Sequence, residues 1–170
     1  MRTLAVIRDE DLRTGVPAPE SFIGRSAARG VVFDTDGKVA LFHATKKHYH
    51  KLPGGGVEEG EDIETALRRE LSEEIGCEVK EIREIGVIEE YRNKFRMHQL
   101  SYCFLAEVSG EKGEPHLEQG EIDEGFVTEW LSLEDAIGVL EGEKDVEDYQ
   151  GKFIQRRDLI FLKEAQKMLL

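Results

Sequence analysis

Three glutamates, at positions 70, 73 and 74, lie within five residues of one another near the middle of the chain. They belong to a pattern that includes Gly55 and Glu61 and ends in the run Arg69-Glu70-Leu71-Ser72-Glu73-Glu74-Ile75-Gly76-Cys77. Carboxylate oxygens are the ligands that hard divalent cations such as Mg²⁺ and Mn²⁺ prefer. The spacing therefore predicts a metal site. The adjacent Gly54-Gly55-Gly56 predicts a loop whose backbone can approach a metal or a phosphate closely.

The glutamates lie on a segment, residues 62–75, whose apolar positions repeat with the period of an α-helix. Because each helical residue advances by about 100°, Glu70 and Glu74 fall within about 20° of Ile63, on the apolar stripe that faces the core. Glu73 falls at the edge of that stripe. Like charges four residues apart destabilise a helix, and burial increases the penalty. A cation bound by these oxygens explains their position better than a solvated charged face does.

Other segments predict the strands and helices that would hold this helix and its loop in place. Strands are predicted at 3–8, 27–33, 39–44, 79–91, 97–108 and 126–131, and further helices at 132–140 and 153–169. The polar, glycine-containing stretch 109–125 predicts a long functional loop. We expect residues 1–170 to form a single domain, in which 1–25 are an N-terminal extension and 147–170 a C-terminal helix.

The composition is that of an acidic chain of 170 residues with a formal net charge of −13. Such a charge argues against binding to nucleic acid or to an anionic membrane surface. No apolar run is long enough to cross a bilayer, and the N-terminus has no signal-peptide pattern, so we expect a cytoplasmic protein. The two cysteines, Cys77 and Cys103, are expected to be small buried apolar residues rather than a disulfide.

Two basic stretches, 46–51 and 92–98, could reverse the acidic field locally. An anionic substrate needs such a reversal, or a bound metal, to approach a protein of this charge. The candidate substrate-binding residues are Lys46, Lys51, Arg92 and Arg96. The alternative is that each stretch is an ordinary solvated loop.

From Gly55 to Gly76 the pattern resembles, position for position, the signature of the Nudix hydrolase family, which includes the MutT-like enzymes. Cys77 takes a place that a larger aliphatic residue commonly fills. The resemblance implies an α/β protein, an α/β/α sandwich with a curved mixed β-sheet. It also implies a pyrophosphohydrolase that uses Mg²⁺, or Mn²⁺, to cleave a nucleoside diphosphate linked to another group. Its partner would then be a small nucleotide-type substrate.

The resemblance also implies roles for individual residues of the signature. In the family, the glutamates that match Glu70, Glu73 and Glu74 bind the metal or activate water. The backbone carbonyl that matches Gly54 is often a further ligand. Arg69 lies off the apolar stripe, where its planar fork could brace a carboxylate, and it joins the glutamates as a catalytic candidate.

One more carboxylate is expected from the long loop. In the family, a glutamate about six residues before a tryptophan commonly completes the site. Trp130 places Glu124 in that position, while Glu118 and Glu121 of the same loop are competitors. Either Glu70 or a loop glutamate could accept the proton of the attacking water, and the sequence does not choose between them.

Two other classes of function remain open. A non-catalytic nucleotide-binding or regulatory protein of the same fold would not need every signature carboxylate. A structural or protein-interaction domain would leave the core-facing glutamates without a role. The substrate stays open among nucleotide sugars, nucleoside triphosphates and dinucleoside polyphosphates, while the acidity of the chain disfavours capped RNA. The terminal segments could also form a homodimer interface.

Overall fold

The computed structural model describes residues 1–170, which form one seven-stranded mixed sheet with helices on both faces. The strands are β1 Thr3–Arg8, β2 Ile23–Phe33, β3 Val39–Ala44, β4 Tyr49–Lys51, β5 Glu78–Arg92, β6 Met97–Ser109 and β7 Phe126–Leu131. The helices are α1 Ile63–Ile75, α2 Gln119–Asp123, α3 Leu133–Gly142 and α4 Tyr149–Leu169. The strand order is β1-β5-β6-β2-β3-β4, and β7 pairs with β3. Strands β1 and β5 are parallel, as are β2 and β6, and the other pairs are antiparallel.

Two hydrophobic cores lie on opposite faces of the sheet because successive strand residues point to opposite sides. On β3, Leu41 packs into the core covered by α3 and α4, while Phe42 packs into the core covered by α1. The α1 side contributes Leu67 and Leu71, and the α4 side contributes Phe161. The α/β/α sandwich predicted from the resemblance is thereby confirmed. Both cysteines are buried and free, as expected.

Helix α1 begins and ends where its sequence predicts. The side chain of Asp62 accepts a hydrogen bond from the backbone N–H of Thr65, which caps the first turn. Gly76 ends the helix in the left-handed conformation, with φ of 63°. A side chain at position 76 would also collide with the backbone of Gly113 in the long loop. Glycine is therefore required there by both backbone conformation and packing.

Four elements differ from the sequence prediction, one of them β2, which begins at Ile23 instead of residue 27. Strand β4 was not predicted, because it is only three residues long and its polar side chains hide the strand pattern. Helix α4 begins at Tyr149, four residues before the predicted start, since Asp148 caps it by accepting from the N–H of Gly151. The long loop contains the short helix α2. No helix of the protein combines the length and the apolar character needed to span a membrane.

Helix α4 contacts the chain directly before the glycine loop. The backbone N–H of Leu52 donates a hydrogen bond to Asp158 Oδ2 over 2.8 Å, and both residues are buried. Asp158 in turn accepts from Arg157, so it is held by its neighbour on the same helix. The C-terminal helix therefore positions the entry to the loop that the signature predicts as part of the site.

Candidate active site

A cavity of about 520 Å³ brings the signature and the long loop together. Its lining includes the glycine loop 54–56, the three signature glutamates of α1 and three glutamates of the long loop. Basic side chains from β2, β4, β5 and α4 complete the wall. The cavity therefore places a carboxylate-rich region directly beside a basic one.

The three signature glutamates differ in burial as their helical positions predict. Glu74 is 3% exposed, Glu70 is half-buried, and Glu73 is the most exposed of the three. Glu74 accepts a hydrogen bond from the backbone N–H of Gly54 and lies 3.3 Å from Lys51 Nζ. The core-facing carboxylate is thus held by the glycine loop on one side and by a single lysine on the other.

Burial raises the pKa of Glu74 to about 8. The charge of Lys51 and the N–H of Gly54 oppose this shift, and a hydrogen bond shared with Glu121 adds to it. Burial also raises the pKa of Glu70, against the opposing effect of Arg69. The group of carboxylates formed by Glu70, Glu74 and Glu121 therefore has too few positive charges beside it. A set of partly buried carboxylate oxygens with this deficit fits a hard divalent cation.

The glycines of the loop allow close packing that no other residue permits. Gly54 has φ of 124°, and a Cβ there would collide with the carbonyl oxygen of Ala28 on β2. A Cβ on Gly55 would collide with the carboxyl group of Glu70. The loop therefore lies directly between β2 and the glutamates of α1. In the structure, the N–H of Gly54 donates to the carboxylate of Glu74. Metal binding by the Gly54 carbonyl stays a prediction.

Arg69 braces several parts of the site at once. Its Nη1 donates to Glu70 Oε1 over 2.8 Å and to Glu73 Oε2 over 3.2 Å. Its Nη2 donates to the carbonyl oxygen of Gly56 over 3.0 Å, and the rest of the fork contacts Glu61. Arg69 therefore contacts the carboxylates beside it, as its position off the apolar stripe of the helix suggested.

All three loop glutamates line the cavity, but their contacts differ. Glu121 lies near enough to Glu74 to raise the pKa of that carboxyl, and its carboxylate is 3.8 Å from Lys51 Nζ. Glu124, which the spacing to the tryptophan favours, has its carboxylate 2.6 Å from Lys47 Nζ. The contacts therefore bring Glu121 to the buried glutamate and place Glu124 beside a lysine. The choice of Glu124 as the completing ligand stays a prediction.

The four basic candidates divide into two pairs. Lys51 and Arg92 line the cavity. Lys46 is exposed and donates to the carbonyl oxygen of Asp123, while Arg96 donates to Ser21 Oγ on the surface. Neither of these last two lines the cavity, although both lie in the predicted basic stretches.

Sequence reasoning missed several polar residues of the cavity wall. They are Arg25, Arg29, Gln99 and Arg157. They come from β2, β6 and α4, so no fixed spacing connects them. The one available signal was Arg29, an arginine inside the otherwise apolar run 27–33, because buried arginines are rare without a partner.

The protein-family model for the NUDIX domain matches residues 24–156 of this chain. The chain belongs to the Nudix family. The matched region runs from β2 into α4 and contains every cavity residue named above except Arg157. Strand β1 and the end of α4 lie outside it.

Three similar proteins show how broad this family is. The 8-oxo-dGTP diphosphatase of Buchnera aphidicola is 31% identical over 102 residues, which cover 58% of this chain and 70% of that one. Diphosphoinositol polyphosphate phosphohydrolase 3-alpha of Mus musculus is 34% identical over 131 residues, or 75% of each chain. The solved Nudix hydrolase from Nitrosomonas europaea is similar in fold, with a TM-score of 0.65 and 17% identity over 86% of this chain and 90% of that one. Within the family, the chain is a pyrophosphohydrolase.

Proposed function

We propose that this Nudix protein is a divalent-metal-dependent hydrolase that cleaves the pyrophosphate linkage of a nucleoside diphosphate linked to another group. The observation that carries the proposal is Glu74, a buried carboxylate on the cavity wall that has Lys51 as its only cationic contact. Its neighbours Glu70 and Glu121 add negative charge rather than relieve it. Carboxylates that lie together in a cleft with a raised pKa are typical of a functional site.

The carboxylates of Glu70, Glu73 and Glu74 would hold the cation, Mg²⁺ or Mn²⁺, together with the Gly54 carbonyl and a loop glutamate. Spacing to the tryptophan favours Glu124 for the last place, and contact with Glu74 favours Glu121. A bound divalent cation offsets the charge of the diphosphate and makes the attacking water more acidic.

The residues of the chain divide the remaining work between them. Glu70 is half-buried with a raised pKa, which suits it to accept the proton of the water as it attacks phosphorus. Arg69 orients that carboxylate through its Nη1. Lys51 and Arg92 line the same cavity and supply positive charge to the anion. Tyr49 and Phe126 are the aromatic residues of the lining.

The names of the relatives narrow the reaction more than the substrate. As their names state, one acts on a modified nucleoside triphosphate and the other on a diphosphoinositol polyphosphate. Both reactions break a phosphoric anhydride, while the attached group differs completely. The proposed nucleotide therefore depends on the cavity of this chain and needs direct testing.

The test replaces Glu73 and Glu74 by Gln and measures Mg²⁺-dependent turnover. The panel contains nucleotide sugars, nucleoside triphosphates, dinucleoside polyphosphates and a diphosphoinositol polyphosphate. Glu64→Gln is the matched control, because Glu64 is an exposed residue of the same helix that pairs with Arg68. We expect kcat to fall by about 100-fold or more in the double variant and to stay within about threefold in the control. Equal turnover in all three proteins would overturn the site. Nucleotide binding without turnover in the parent would instead favour a non-catalytic binding protein.

A further inference from the structure

Four arginines line the basic part of the cavity: Arg25 and Arg29 on β2, Arg92 at the end of β5, and Arg157 on α4. We refer to these four residues as the arginine cluster. Arg29 is 8% exposed, Arg92 is 2% exposed and Arg157 is fully buried, while Arg25 reaches the surface. Charged side chains of this kind are buried only where something pairs with them.

The sheet register explains how these residues come together. Arg25 on β2 is paired with Gln99 on β6, and Gln99 is paired with Glu90 on β5. The three side chains therefore form one row across three neighbouring strands. Arg29 lies four residues after Arg25 and Arg92 two residues after Glu90, so both share the face of that row. A polar row thus crosses the sheet on the face that α4 covers.

Two arginines of the cluster have no direct ion-pair partner. Glu90 pairs with Arg92 at 2.7 Å and with Arg157 at 3.5 Å, and Asp158 pairs with Arg157 at 2.7 Å. Arg25 donates only to the amide oxygen of Gln99. Arg25 and Arg29 therefore form no direct ion pair, although the carboxylates of Glu70 and Glu74 lie near enough to affect their pKa values.

Two hydrogen-bond donors of the cluster are also left over. The Nε atoms of Arg29 and Arg92 are buried and have no hydrogen-bond partner. Burial, followed by repulsion from Arg157, lowers the pKa of Arg29 to about 10, so the group is still protonated at neutral pH. A network that served only to stabilise the fold would satisfy its buried donors. Arg25 and Arg29, the two arginines without an ion pair, line the cavity, which suits them to bind an anion there.

The missing anion has the chemistry of a phosphate group. A guanidinium fork matches phosphate oxygens two at a time, which lysine cannot do. The cluster adjoins the carboxylate region, because Glu70 lies close enough to both Arg25 and Arg29 to influence their charges. A chain of phosphates that begins at the carboxylates would therefore continue into the cluster.

We propose that the arginine cluster is a subsite for a phosphate group beyond the diphosphate that is cleaved. This inference rests on the proposed function, and it narrows the substrate class to molecules with at least three phosphates. Nucleoside triphosphates belong to that class, while nucleotide sugars such as ADP-ribose do not. Arg25, Arg29 and Arg92 contact the added phosphate, and Arg157 positions Glu90 behind them.

Binding without metal separates this subsite from the carboxylate site. In EDTA, calorimetric titration of the parent protein with a nucleoside triphosphate, with ADP-ribose and with inorganic phosphate compares the three ligands directly. We expect the triphosphate to bind at least about tenfold more tightly than ADP-ribose, since each lost charge-assisted contact weakens binding by roughly that factor. The preference should disappear in Arg29→Met and in Arg25→Gln. It should survive in Arg68→Met, which removes an exposed arginine of α1 outside the cavity.

The outcomes distinguish the subsite from the function it serves. Equal binding of the triphosphate and ADP-ribose, or a preference that survives both cluster variants, would overturn the subsite. Inorganic phosphate binding as tightly as the triphosphate would show a free-phosphate site instead of a substrate subsite, which also overturns the proposal. Arg25 is exposed, so its variant decides the matter even if Arg29→Met does not fold. The Glu73→Gln/Glu74→Gln protein should keep the preference in EDTA, so loss of turnover and loss of the subsite are read separately.

Discussion

Arg69 and Glu61 are joined by two parallel hydrogen bonds, from Nε to Oε1 and from Nη2 to Oε2, each 3.0 Å long. Glu61 directly precedes the N-cap of α1, and Arg69 lies two turns further along the helix. The pair therefore ties the chain that enters the helix to the turn that carries Glu70. The hydrogen bonds from Arg69, together with the N–H of Glu58, lower the pKa of Glu61. This contact explains why the signature contains a glutamate eight residues before its arginine.

Arg69→Lys should weaken metal binding while leaving the charge unchanged. Lysine cannot form the two-pronged contact with Glu61 or reach Glu70 and Gly56 at the same time. Loss of a residue that orients metal ligands typically lowers metal affinity by about 10- to 100-fold. Titration with Mn²⁺, followed by electron paramagnetic resonance, measures this affinity. Arg68→Lys is the matched control, and equal affinity in the two variants would contradict the bracing role.

Glu74→Gln should stabilise the metal-free protein at high pH. The folded-state pKa of Glu74, about 8, lies above its value in the unfolded chain. Its favourable contribution to stability is therefore complete below about pH 4 and is lost as the pH rises through about 8. In EDTA we expect the variant to gain about 2–4 kcal/mol relative to the parent between pH 5 and pH 9. Urea unfolding at several pH values measures the difference, and a gap that does not change with pH would contradict the prediction.

Adding Mg²⁺ tests whether Glu74 is a metal ligand. A cation bound to the ionised Glu74 stabilises the folded parent by mass action, and the variant lacks this ligand. We expect millimolar Mg²⁺ to raise the melting temperature of the parent at pH 8 more than that of Glu74→Gln. The same rise in both proteins would place the cation elsewhere.

Glu121→Gln should reduce Mg²⁺-dependent turnover more than Glu124→Gln. Glu121 lies beside the buried Glu74, and both carboxylates are within 4 Å of Lys51 Nζ, whereas Glu124 is paired with Lys47. We expect kcat to fall by at least about tenfold in the first variant and by less than about threefold in the second. Steady-state kinetics on one substrate with both variants decides between them. The reverse order would support the residue that the tryptophan spacing favours.

Glu143→Gln should lower the pKa of His50. Burial acts to lower that pKa, but a hydrogen bond with Glu143 and the charges of Glu143 and Glu129 outweigh it and raise the pKa above its usual value. The ion pairs therefore stabilise the fold fully below about pH 6.5, and the stabilisation is lost as the pH rises through the folded-state pKa. NMR titration of the His50 ring measures the shift directly. Glu141→Gln is the control, because Glu141 is an exposed residue in the last turn of α3, two residues before Glu143, and pairs with Lys163. An unchanged His50 titration in Glu143→Gln would contradict the assignment.

The sequence was most informative where local rules and tertiary structure agree. Helix α1 could be predicted because its cap, its glycine end and its apolar period all point to one element, and the burial of Glu74 follows from its helical angle. Strand β4 could not be predicted, since three residues have no period. The loop carboxylate depends on the path of the chain through α2, which no spacing rule determines. The arginine cluster was missed because sheet register and α4 bring it together, and register is a property of the folded sheet.

The hydrogen bond between Leu52 and Asp158 joins residues 106 positions apart. During synthesis, the growing chain contains every glutamate of the signature as soon as α1 has emerged from the ribosome. It does not yet contain the carboxylate that holds the strand end in front of Gly54. The contact of Leu52 with Asp158 can therefore form only after α4 has been synthesised and has docked, whereas β2 and α1 can hold the glycine loop earlier. We expect a truncation that removes Asp158 to weaken the positioning of the strand end in front of Gly54, because the buried N–H of Leu52 loses its acceptor.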